Sequence, residues 1–294
     1  MEVNYELYKV FYQVAKRLNF SQAAKELYIS QSAVSQAIKN LEEQLDTTLF
    51  IRSTKSVSLT KEGKILFEHI KPAFNLIKSG EQNLQAINSF EQGAIHLGAN
   101  DTICKYYLLP MLKKFHQLYP QIHIQITNRT SAKCVELLKE GAVDLIISNL
   151  PNQAITNFMK TKKIFSFQDV FIAGDKYQNL HNSQLNLADL ADYPLLMLEK
   201  NTTTRDFFDN LMTNYKLNLK PEVELGSIEL LIEMARIGLG ISFIPNYCLQ
   251  NKTDDDLFTL NLKQNLAQRN LALVTNQKIP TSLASKKFIE LLLT

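Results

Sequence analysis

Apolar positions along the chain fall into two successive regimes, helical spacing first and then alternating short strands and helices. Between Tyr5 and Leu18, the residues Leu7, Val10, Phe11, Val14 and Leu18 make one stripe, so a helix with a single face to bury is predicted. From Phe20 to Leu45 the same period returns in two shorter pieces. Ser21 is the predicted cap of a first helix carrying Ala23, Ala24 and Leu27, and Ser30 the cap of a second carrying Ala33, Val34, Ala37, Ile38, Leu41 and Leu45. Only Tyr28-Ile29-Ser30 separates them, too short a link for antiparallel packing. The helices must therefore cross, with Ile29 expected in the corner and Ala23, Ala24 and Ala33 allowing close approach.

After Leu45 the pattern shortens. Phe50 and Ile51, then Val57 and Leu59, flank the polar tip Ser53-Thr54-Lys55-Ser56, which predicts a two-stranded wing. Thr60 caps a long helix whose Leu66, Ile70, Phe74, Ile77, Leu84 and Ile87 form an apolar seam, with Pro72 expected to bend it. A seam of that length with no domain of its own to cover calls for a partner helix. From Gly93 onward AIHLGAN, IHIQITNR and DLIISN read as strands separated by two helices, the order of a parallel sheet with helices on both faces. A second such unit follows with FSFQDVFIAGD, YPLLMLE, the helix TTTRDFFDNLMTNY, EVELG, the helix SIELLIEMARIG and GISFIP.

The polar face of the second short helix changes this picture from architecture to chemistry. Gln31, Ser32, Ser35, Gln36 and Lys39 are hydrogen-bonding or cationic and none is acidic. Such a face can read base edges in a major groove, Gln suiting adenine and Ser several bases, although a solvated helix face has the same composition. The context favours recognition. Between Thr47 and Lys64 the cations Arg52, Lys55, Lys61 and Lys64 face Glu62 alone, which places Arg52 and Lys55 near phosphate or a minor groove.

These residues resemble a known family. The run SQSAVSQAIKNLEEQLDTTLFIRSTKSVSLTKEG is similar to the winged helix-turn-helix of LysR-type transcriptional regulators, and LLKEGAVDLII and GSIELLIEMARIGLGISFIP resemble their effector domain. The resemblance covers nearly the whole chain. It implies a DNA-binding domain dominated by helices at residues 1–60, a dimerising linker helix at 61–91, and a periplasmic-binding-protein-like α/β effector domain of two subdomains at 92–294. It also implies double-stranded DNA as a partner, a homodimer or homotetramer, a partly palindromic promoter site, a small-molecule effector, and RNA polymerase as a further partner.

Candidate effector contacts come from strand ends and helix N-termini, where unpaired N–H groups attract anions. The first subdomain offers Asn100, Asp101, Thr102, Arg129, Thr130 and Ser131, with Asn128 beside them; the second offers Thr202, Thr203, Thr204 and Ser227. Each hydroxyl would also serve as a plain helix cap. Arg129 points to an anionic effector and Asp101 to a zwitterion such as an amino acid.

Composition narrows the class. With 294 residues and 45% hydrophobic content the chain suits two or three compact units. The segment MEVNYELYKV lacks the apolar core of a signal peptide and no apolar run is long enough for a bilayer, so a cytoplasmic protein without a membrane partner is expected. Cys104, Cys134 and Cys248 are widely spaced, against a disulfide framework or metal site. No paired carboxylates, nucleophile and base, phosphate loop or His ligand pair is present, so neither enzyme activity nor a cofactor or metal is expected. A transport receptor would leave the first 90 residues without purpose. A redox regulator is the nearer rival, yet peroxide-sensing relatives use a cysteine pair in the second subdomain, where this chain has Cys248 alone.

Overall fold

A computed structural model describes residues 3–53, 56–88, 93–249 and 256–293. The chain divides into two compact units, Met1–Gly80 and Glu81–Thr294. The division falls inside a helix, within the linker expected at 61–91.

In the first unit α1 (Tyr5–Arg17), α2 (Phe20–Leu27) and α3 (Gln31–Gln44) surround a core that includes Phe11, Val14, Ala23, Val34, Ile38 and Leu41. The cap of α2 is Asn19, whose side chain accepts from Gln22 N at 2.9 Å; Ser21 sits inside the first turn instead. An amide oxygen one residue before the helix serves the first turn better than a hydroxyl already within it. Ser30 caps α3 as expected, accepting from Ala33 N at 3.1 Å. Leu18 and Tyr28 end α1 and α2 in the left-handed region, at φ 48° and 57°. That reversal turns both side chains outward, so Leu18 leaves the predicted stripe and Tyr28 is 94% exposed. Ile29 does not fill the corner either, at 42% exposed, and Ala33 is exposed; the close approach rests on Ala23 and Ala24.

The wing forms from β1 (Phe50–Arg52) and β2 (Val57–Leu59), paired antiparallel with Phe50 opposite Leu59. The tip residues Thr54 and Lys55 lie outside the described residues. Thr60 then caps α4 (Lys61–Asn88), accepting from Gly63 N at 2.9 Å. Gly63 is required by contact: a Cβ there would lie 2.1 Å from the Leu49 carbonyl oxygen. Contrary to expectation, α4 does cover its own unit. Leu66, Phe67 and Ile70 pack on the first core, and Phe74 stacks on Tyr5 and Tyr12 of α1 at 5.4 and 4.9 Å. Beyond them Leu76, Ile77 and Leu84 are exposed.

The second unit holds two mixed sheets. The first has the order β4 (His123–Asn128), β3 (Ala94–Ala99), β5 (Leu145–Leu150), β14 (Arg269–Asn276), β6 (Met159–Phe167). Strands β3, β4 and β5 are parallel, and β14 runs antiparallel to both its neighbours. Helix α7 (Ser131–Lys139) covers one face; α6 (Leu109–Leu118) and α10 (Leu283–Leu292) cover the other. The single helix expected between β3 and β4 is interrupted: a short α5 (Asp101–Ile103) and a π-helical turn, Cys104–Leu108, precede α6.

The second sheet has the order β10 (Val223–Leu225), β9 (Leu195–Leu198), β11 (Ile241–Pro245), β7 (Asp169–Gly174), β12 (Leu257–Thr259), with α8 (Thr203–Asn214) and α9 (Ile228–Arg236) on opposite faces. A two-stranded ribbon, β8 (Gln184–Leu185) with β13 (Asn261–Leu262), flanks it. The segment FSFQDVFIAGD, expected as one strand, breaks at Gln168 and belongs to both sheets, as β6 and β7. The chain returns to the first sheet as β14. One hydrophobic core runs through the junction, with Phe167, Leu271, Ile244 and Tyr247 among its members.

Candidate DNA-reading face and effector cleft

Helix α3 presents Gln31, Ser32, Gln36 and Lys39 to solvent, with Ser35 half-buried. Neighbours hold these side chains lightly. Ser21 Oγ donates to Gln31 Oε1 at 3.2 Å, Gln36 donates to Asn40 at 2.8 Å, and Lys39 lies 3.6 Å from Glu43. Exposed contacts of this kind contribute little, so the face can exchange them for outside partners.

The wing is fixed to α3 by a residue that sequence reading passed over. Glu42 accepts Leu49 N at 2.7 Å and Phe50 N at 3.1 Å through one oxygen, while its other oxygen is 3.9 Å from Arg52. The Arg52 guanidinium also lies 4.4 Å from the Phe20 ring centroid. Arg52 thus stands between wing and helix, a cation held in place yet partly exposed.

In the second unit the candidate cleft residues gather at two places. Asn100 caps α5 through Ile103 N at 2.8 Å, and Asp101 accepts from Asn128 Nδ2 at 3.1 Å, joining the ends of β3 and β4. Thr102 is half-buried. Arg129 is exposed and donates to the Asn128 carbonyl at 2.6 Å, and Thr130 caps α7. Ser131 is buried, its hydroxyl without a hydrogen-bond partner. On the other sheet Thr202 caps α8 and Ser227 caps α9. Parallel pairing of β9 with β10 puts both helix starts at the same end of the sheet. Thr203 and Thr204 face inward, 7% and 3% exposed.

Two sets of contacts link these places. Lys105 Nζ and Tyr106 Oη, from the π-helical turn, both donate to the Glu229 carboxylate in the first turn of α9. Burial first, and then this bond, push the Tyr106 hydroxyl pKa well up, so it stays a donor. At the junction Arg269, 1% exposed, donates to Asp169 Oδ2 at 2.9 Å, Thr203 O at 3.1 Å, Leu150 O at 3.2 Å and Thr204 Oγ1 at 3.4 Å. The Phe167 and Phe207 rings lie against its guanidinium, at 5.3 and 4.9 Å. Nothing in the local sequence marked Arg269, because its partners are 65 to 119 residues away.

A pocket of about 300 Å³ lies elsewhere, between Gln168–Phe171 and the segment Thr259–Leu266; it contains none of the predicted cleft residues. Among the described residues no cluster of His, Cys, Asp or Glu could hold a metal, and no helix is long and apolar enough to cross a membrane. The Cys104 and Cys134 thiols are both pushed up to about 11, chiefly by burial.

A winged helix-turn-helix joined to a two-subdomain α/β receptor unit defines a one-chain transcriptional regulator with its own effector domain. The comparisons with known proteins agree: "LysR substrate binding domain" matches residues 88–294 and "Bacterial regulatory helix-turn-helix protein, lysR family" residues 5–64. The chain belongs to the LysR family of DNA-binding transcriptional regulators. It is 28% identical over 275 residues to a probable RuBisCO transcriptional regulator of Cyanidium caldarium, covering 92% of this chain and 87% of that one. Identity is also 28%, over 242 residues, to the regulator CfxR of Cupriavidus necator, with 82% and 75% covered. Two solved structures share the fold. Full-length CbnR complexed with its target DNA has TM-score 0.69, 18% identity and 99% coverage of both chains. A full-length OxyR variant from Pseudomonas aeruginosa has TM-score 0.70 and 21% identity, with 99% and 94% covered.

Proposed function

We propose that this regulator binds a partly palindromic promoter site as a homodimer or dimer of dimers, in the cytoplasm, and passes effector occupancy on to transcription with RNA polymerase as a further partner. Residues 1–60 read DNA, 61–91 dimerise and 92–294 sense. Gln31, Ser32, Ser35, Gln36 and Lys39 contact base edges and adjoining phosphates, and Arg52 and Lys55 hold the backbone. The observation that carries this is the polar face Gln31–Lys39 of α3, which has no acidic residue before Glu42, beside a wing cation anchored by Glu42.

The effector is a small anion or zwitterion held between Asn100, Asp101, Thr102, Arg129 and Thr130 on one side and Thr202 and Ser227 on the other. Ser131, Thr203 and Thr204 shape the site from beneath, since their side chains are buried. Small-molecule control is favoured over thiol oxidation because Cys104 and Cys134 are poor thiolates at neutral pH.

Footprinting on DNA flanking its own gene tests the first part: a salt-sensitive protected region is expected, and its absence at every ionic strength counts against DNA control. Thermal-shift screening of small anions and amino acids against the full chain tests the second. A true effector raises the melting temperature with concentration, and Arg129→Ala removes the shift of an anionic one. A shift that survives both Arg129→Ala and Thr202→Val places the site elsewhere.

A further inference from the structure

The chain leaves the first sheet of the effector unit at Gln168, between β6 and β7, and re-enters it at Arg269, the first residue of β14. Arg269 is opposite Phe167 in the register of β14 with β6, so the two crossing strands lie side by side where the subdomains meet. On this junction the Arg269 guanidinium gathers acceptors from three further elements: the end of β5 through Leu150 O, the start of β7 through Asp169, and the first turn of α8 through Thr203 O and Thr204 Oγ1.

We propose that Arg269 is a positioning residue that couples the N-terminus of α8, one wall of the effector cleft, to the crossing strands about which the subdomains would move. The planar fork has fixed directions, so a shift of the α8 first turn cannot keep its bonds to Thr203 and Thr204 unless the guanidinium moves. The two rings beside it and the bonds to Leu150 and Asp169 resist such movement. A ligand seated at Thr202 therefore acts on the junction through two adjacent residues already bonded to Arg269. Asp169 Oδ2 is taken by Arg269, while its other oxygen, Oδ1, is buried without a partner. The Asp169 carboxylate is thereby tied to Arg269 at the β7 end of the junction.

The functional meaning rests on the effector binding between the subdomains, but the test needs no effector. Coupling is reciprocal, which local fastening is not. Hydrogen–deuterium exchange on the full-length protein is read at residues 166–170 and at the first turn of α8. Thr204→Val, which removes one hydroxyl from the α8 side, should speed exchange at 166–170 by about three- to tenfold, the scale of one hydrogen bond. Asp169→Asn, on the β7 side, should speed exchange at the α8 first turn. Thr213→Val removes a comparable bond to Asp209 O at the far end of α8 and should leave residues 166–170 unchanged. If Thr204→Val accelerates α8 alone, the coupling is overturned, whatever the fate of Asp169→Asn. A thermal-shift screen in which no compound binds would count against the effector reading and leave this result standing.

Discussion

Arg269 shows how much a single side chain can carry when its whole charge is taken out of water. A buried guanidinium is tolerated because its donors meet a carboxylate, two carbonyls and a hydroxyl. Arg269→Met would leave Asp169 buried and uncompensated, in a site where burial already pushes its pKa up against the pull of Arg269. A loss of about 3–5 kcal/mol is expected, read by urea denaturation of the full chain. The double change Arg269→Met with Asp169→Asn should recover part of that loss, because no unpaired charge remains. Cys104 makes a second case at this scale. Its thiol, raised to about 11, is protonated at neutral pH, so alkylation by iodoacetamide should be slow at pH 7.5 and speed up about tenfold per pH unit until the pKa is approached. A rate already at its plateau near pH 8 would contradict this.

At the scale of elements, caps and close approaches decide where helices begin and how they meet. Ser30→Ala removes the α3 cap and should cost about 1 kcal/mol, read by thermal melting of the full chain. Gln31→Ala and Ser35→Ala should relax base preference at little cost in stability. Arg52→Ala should weaken binding to all sequences alike, and a titration across operator variants separates the two patterns. Gly63→Ala is the severe change in the first unit. Its Cβ would meet a backbone carbonyl at 2.1 Å rather than a movable side chain, so the loss should exceed the roughly 1–3 kcal/mol of ordinary overpacking. Circular dichroism melting of the full chain reads it directly.

At the scale of the whole molecule, the apolar residues that α4 leaves uncovered bear on assembly. Leu76, Ile77 and Leu84 are 39%, 44% and 63% exposed, past the part of the helix that packs on α1. Burying such a seam against its symmetry mate gives the dimer proposed for paired DNA sites. Leu84→Glu should convert the protein to monomer in light scattering and weaken binding to a two-half-site operator at least about tenfold, as the advantage of two linked heads is lost. Unchanged mass would place the dimer contact elsewhere.

The local sequence determined what depends on neighbours a few residues apart. Helical period and the Ser30 and Thr60 caps placed α3 and α4, alternation placed the wing, and the strand and helix order placed most of the two sheets. The polar set Gln31, Ser32, Ser35, Gln36 and Lys39 on α3 was equally legible, because one helix carries it whole. Short-range rules failed where another contact, local or distant, competed. Asn19 displaced Ser21 as a cap, left-handed ends turned Leu18 and Tyr28 outward, and the strand around Gln168 broke because its halves pair with different sheets. Strand β14 and its Arg269 lay outside what periodicity could assign. Their meaning comes from Leu150, Asp169, Thr203 and Thr204, which only the closed chain brings within hydrogen-bond reach. Likewise the helix starts at Thr202 and Ser227 could be read singly as caps, while their placement at one end of the sheet was decided by parallel strand pairing, a contact that no local pattern encodes.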